Sequence, residues 1–115
     1  MNQRNSLPQQ VTDLLLAIAE LLGDVGQPLA IQAREARVSG YSPTYIDIMV
    51  PASCKPGTWA DGPLSIKPLV IDRGGDPLGE ILVWVSAGRV TLLEQAWFTD
   101  DPPPSWPPLE MVRVS

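Results

Sequence analysis

Apolar residues recur at three- and four-residue steps through "SLPQQVTDLLLAIAELLGDVG" and then at alternate positions through most of the remaining chain. The first period is that of one helix face and the second that of a half-buried strand. Leu7, Val11, Leu14, Leu15, Ile18, Leu21, Leu22 and Val25 form one stripe, with Asp13 and Glu20 on the opposite side, which predicts a helix over 7–25. Ser6 and Gln9 have capping-box spacing, and Pro8 suits a first turn, where its missing N–H costs nothing. Gly23 or Gly26 supplies the left-handed residue that stops the helix. In water such a helix is marginal on its own, so its stripe must lie against something.

The strands follow in order. In 29–41, Leu29, Ile31 and Ala33 alternate before the phase slips to Ala36 and Val38, as in a bulged strand, although the alanines and arginines favour a helix. Residues 44–50 alternate cleanly, with Ile46, Ile48 and Val50 inward and Tyr45, Asp47 and Met49 outward. The composition of 51–63 is that of a loop. The segment 64–72 carries Pro68, which assigns it to an edge or a bulge. Strands 79–86 and 89–98 flank a tight turn at Ala87-Gly88, with Gly88 at positive φ. The fold class is therefore α+β: an N-terminal helix packed on a mostly antiparallel sheet of about five strands, closed by a proline-rich C-terminal strap over 99–115.

Composition narrows the chemistry. A chain of 115 residues that is 44% hydrophobic and only 18% charged folds as one globular domain. A net charge of −5 argues against nucleic acid or an anionic membrane as partner and permits a basic protein. Histidine is absent and Cys54 is the one cysteine, which removes the commonest proton shuttle and metal ligand, thiolate metal clusters and any internal disulfide. Neither a cofactor nor a metal is expected. The apolar run "LLLAIAELL" is too short for a span and has no basic flank or cleavage site, so a cytoplasmic location is expected.

The remaining candidates each have a structural alternative. "DRGGDPLGE" spaces Asp72, Asp76 and Glu80 at four-residue steps, faintly like an oxygen-ligand cation loop, but ordinary turn chemistry accounts for the same residues. Glu94, Asp100 and Asp101 would serve a carboxylate-dependent enzyme only in a cleft that separates their pKa values. Cys54 beside Lys55, and Ser53 before it, lack the histidine that usually activates such nucleophiles. An enzyme is accordingly the least favoured class.

The tryptophans carry more information. Trp84 shares its face with Leu82 and Ser86, opposite in phase to Ile81, Val83 and Val85, and is offset across the hairpin from Trp97. If that second face is bare, it offers aromatic surface to a partner. "EQAWFTDDPPPSWPP" ends a strand at Asp100 and Asp101 and enters five prolines that favour polyproline II. It can serve as a ligand for another protein's groove, or run back over the domain with Trp106 filling a gap and "LEMVRV" adding an edge strand. The burial demand of Leu109, Met111, Val112 and Val114 favours the second course.

The last third, "GEILVWVSAGRVTLLEQAWFTDDPPPSWPP", resembles a pattern in small uncharacterised bacterial proteins, many of them actinobacterial: strand, turn, strand with "LE", then a "TD-PP---P-P" ending. The resemblance spans roughly 35–110 and implies a fold type but no activity. Ala87 stands where that pattern has an acidic residue before the glycine. The expected function is a non-enzymatic protein-interaction module, immunity- or inhibitor-like or a scaffold, using Trp84, Trp97, Trp106, Asp100 and Asp101. The alternative is a small-molecule binder with a pocket between helix and sheet lined by Trp84, Trp97 or Tyr45. A homodimer through the last hairpin or an open sheet edge is also expected to be accessible to such a fold.

Overall fold

In the computed structural model, which describes residues 6–114, most of the apolar stripe forms helix α1, Gln9–Leu22, shorter than the expected 7–25. Of the stripe's last members, Leu21 and Val25 face water instead of the core. Pro8 occupies the cap position and no side chain caps the end; Ser6 instead bridges to Arg37, and Gln9 Nε2 donates to Asp13 Oδ1 at 2.9 Å. The capping box read from the sequence is therefore not formed. Leu22 is followed by a 3-10 turn, Gly23–Gly26, which Gly23 enters at φ 68°, a value that side-chain-bearing residues rarely adopt.

The chain then continues as a second helix, α2, Gln27–Glu35, packed against α1 so that Ser6, before the first helix, bridges Arg37, after the second. This corrects the expected strand over 29–35. Pro28 sits in the first turn of α2, and Leu29, Gln32, Ala33 and Ala36 are buried at helical spacing. Helix propensity outweighed the short alternation Leu29-Ile31-Ala33, whose middle member faces water at 41% exposure. The helical stretch Gln9–Glu35 is, by length and composition, apolar enough to cross a membrane, unlike the nine-residue run considered alone. Here it folds back at the 3-10 turn and lays its buried side chains on the sheet.

Among the described residues seven strands follow: β1 Arg37–Tyr41, β2 Tyr45–Met49, β3 Gly62–Pro63, β4 Leu69–Ile71, β5 Pro77–Ser86, β6 Arg89–Trp97 and β7 Val112–Arg113. Their order is β1-β2-β6-β5-β4-β7, with β3 also paired to β5, and every pairing is antiparallel. Short connections dictate that sense. The expected strand over 64–72 is reduced to β4, because Pro68 has no N–H to donate and its carbonyl alone reaches Ile81. Residues 62–71 thus make one interrupted edge against β5, and β7 closes it from outside.

Ile81, Val83, Val85, Ile46 and Leu93 point to one face, the inner face, and meet Val11, Leu15, Ile18 and Leu29 from the helices. Gln32 is fully buried among them. Its Nε2 donates to the carbonyls of Gly88 (2.9 Å) and Lys55 (3.1 Å), and its Oε1 accepts from Val90 N–H (3.0 Å). One side chain thereby ties α2, the 51–61 loop and the β5–β6 turn together. At the other end of the sheet the C-terminal strap covers the inner face. Trp106 is 3% exposed and its Nε1–H donates to Ser42 O at 2.8 Å, while Gln95 Nε2 donates to Pro43 O and Ser105 O.

Candidate functional site

The helices, the 51–61 loop and the strap all lie on the inner face, so the side chains that alternate with the core point to a surface over which no other described element lies. On β5 the inner positions are Gly79, Ile81, Val83 and Val85, all buried, while Leu78, Glu80, Leu82 and Trp84 are half-exposed. On β6, Leu92, Glu94 and Ala96 share the second face, and on β2 Tyr45, Asp47 and Met49 do so. A solvated sheet face is ordinarily polar. This one leaves Met49 60%, Phe98 58% and Tyr45 41% exposed, with none of the three drawn into the core.

Register arranges these side chains in rows across the strands. Asp47, Leu92 and Trp84 stand side by side, then Tyr45, Glu94 and Leu82, then Ala96 and Glu80; Phe98 N–H donates to Leu78 O at the end. Trp84 Nε1–H donates to Glu94 Oε1 at 3.1 Å, linking neighbouring rows and fixing both the indole and the carboxylate. A bulge between Trp84 and Val85 sharpens the local twist beside Trp84. The β5–β6 turn is held from outside the hairpin: Ala87 has φ 51° and its N–H donates to Asp61 Oδ1 at 2.9 Å. An acidic partner is thus present at this turn, supplied by the loop rather than by residue 87.

The residues expected to form one surface divide. Trp84 is on the bare face. Trp97 has inner-face phase, with its indole so close over Gly79 that a Cβ there would collide, and Trp106, part of the strap, is buried on the inner side. Asp100 and Asp101 are exposed on the bends that follow Phe98. Trp84 and Tyr45 lie on the opposite side of the sheet from Trp97, so these three do not line one pocket, and among the described residues core side chains pack between the helices and the sheet. A groove of about 360 Å3 lies elsewhere, between the start of α2 and the loop, lined by Val25, Pro28, Ile31 and Lys55 among others.

The other candidates resolve into structure. Asp72 Oδ1 accepts from Gly74 N–H and Asp76 N–H, both at 2.9 Å, as an Asx turn does. Among the described residues no three potential acidic or cysteine metal ligands gather. Cys54 is buried, and the guanidinium of Arg89 donates to the carbonyls of Ala52 and Cys54, not to the thiol. Glu94 lies within β6, whereas Asp100 and Asp101 lie on the bends beyond its end. Sequence reasoning placed Tyr45 and Met49 outward but missed their part in this surface, because cross-strand register is not written in any one strand. No protein-family model matches this chain, and no curated protein or solved structure compared with it is similar to it.

Proposed function

We propose that the chain is a non-enzymatic protein-interaction module, of the kind that neutralises or scaffolds a partner, and that the partner seats on the outer face of the sheet around Trp84. The observation that supports this is the bare apolar face itself. Apolar side chains on three central strands stay partly exposed, with no other described element laid over them, whereas the inner positions of the same strands are covered by three separate segments. Aromatic residues fixed on a rigid sheet suit an interface, since little side-chain entropy is lost when they are covered. The helix-side groove supports a small ligand less well, because its walls are exposed ends of side chains around a turn.

Capture from native lysate on the immobilised chain tests the reading when variants are compared. Species retained by the parent chain should be lost with Leu82→Asp and Trp84→Ala, and kept with Ile31→Glu on the exposed side of α2. Retention that ignores the two sheet substitutions, or no retention at any salt concentration, would overturn it.

A further inference from the structure

The outer face carries a charge pattern as well as an apolar one. Asp47 on β2, Glu94 on β6 and Glu80 on β5 occupy successive rows on successive strands, so they run diagonally across the sheet. Diagonal neighbours in an antiparallel sheet stand roughly 7–8 Å apart. Apolar side chains flank the diagonal on both sides, with Trp84 and Leu92 on one and Tyr45 and Phe98 on the other. Of the cations in outer-face phase, Arg37 and Arg113 lie on β1 and β7, and Arg89, at the start of β6, turns its guanidinium to the carbonyls of Ala52 and Cys54.

We propose that the occupant of this face is an extended, basic segment of a protein partner, with arginine or lysine at alternate positions; this rests on the face being the interaction surface. In an extended chain alternate residues on one side are about 6.6–7 Å apart, close to the step of the acidic diagonal. Guanidinium groups over Glu94 would also lie against the indole of Trp84, adding a cation–π contact to the ion pair. A second copy of this chain fits poorly. A twofold axis through Glu94 would set the acidic diagonal against itself, and like charges placed together at an interface oppose association. The net charge of −5 adds long-range attraction for a basic segment and repulsion between copies.

The probe is a short synthetic peptide with arginine at three alternate positions among threonines, titrated into the 15N-labelled full chain. Peptides with glutamate or leucine in place of arginine serve as comparisons. The arginine peptide should shift the Trp84 indole N–H and the amides of β2, β5 and β6 on the outer rows. Its affinity should fall about tenfold or more in the Asp47→Asn, Glu80→Gln, Glu94→Gln triple variant, and fall steeply with added salt. Thermal unfolding confirms that the variant is folded. Absence of binding by the arginine peptide, equal binding by the glutamate peptide, or shifts confined to Asp100 and Asp101 would overturn the basic-partner proposal. Binding of the leucine peptide alone at Trp84 overturns it too, but leaves the interaction face standing. Concentration-dependent dimerisation abolished by Leu82→Asp would assign the face to a second copy instead.

Discussion

The two faces of the β5–β6 hairpin are built from the same kinds of residue and differ in what covers them. Ile81, Val83 and Leu93 on the inner face are wholly buried; Leu82, Trp84 and Leu92, their neighbours in sequence, are half-exposed. Hydrophobicity alone therefore does not decide burial in this fold. The connections decide it: the helical hairpin, the 51–61 loop and the strap all cross the same side. The outer face keeps apolar residues that the fold does not need there, and that surplus directs attention to a partner.

The widest separation between the faces should appear in a matched pair of truncations. Leu93→Ala removes a fully buried side chain at the centre of the core and should destabilise by about 3 kcal/mol. Leu92→Ala, one residue away, removes a half-exposed side chain and should cost less than about 1 kcal/mol. Urea unfolding at equal protein concentration measures both. Similar losses would mean that the outer face is already packed against something in solution, which would break the comparison. The pair also isolates function, because only Leu92 lies in a row with Trp84 and Asp47.

A smaller effect is expected where the strap closes the inner face. Trp106→Phe keeps most of the apolar volume but leaves the Ser42 carbonyl without the indole donor. The cost should be about 1–2 kcal/mol, the usual penalty for an orphaned buried acceptor with some lost packing. Faster amide exchange in residues 99–108 should accompany it, while the outer-face amides stay unchanged. Exchange that accelerates on both faces together would mean that the strap supports the whole sheet rather than one end of its inner side.

How much of this was legible in the sequence follows from the range of each signal. The stripe as far as Ile18 and the alternation in 44–50 and 79–86 are local patterns, and each became the element expected. Of the tail's Leu109, Met111, Val112 and Val114, only the two valines pack on the core, while Leu109, like Leu21 and Val25 at the end of the stripe, stays exposed. Residues 29–35 form a helix although their pattern suggests a strand, because three alternating positions fit either period and the helix start is marked only by Pro28. Gln32 could not be found at all. Its three partners are 23, 56 and 58 residues away, so its role exists only after the chain has folded. The acidic diagonal is of the same type, because Asp47, Glu94 and Glu80 align only through the registers of two strand pairs.

The smallest predicted effect lies at the turn that joins the two strands and belongs to neither face. Gly88 must stay glycine, since its φ is 77° and a Cβ would collide with the Gly57 backbone. Ala87 has no such excuse: at φ 51° its Cβ carries a left-handed penalty of about 1 kcal/mol. Ala87→Gly would relieve it but would raise the entropy of the unfolded chain by a similar amount, leaving little net change. Ala87→Asn relieves the strain at less entropic cost, because asparagine tolerates this region and Asn-Gly is a favoured two-residue hairpin turn. The Asp61 contact is to the backbone N–H and survives either change. Ala87→Asn should therefore stabilise by about 0.5–1 kcal/mol in urea unfolding without altering capture by the outer face. A stabilised chain with unchanged capture would show that binding depends on the rows around Trp84 and not on global stability; a destabilised one would mean that the turn is held in another conformation.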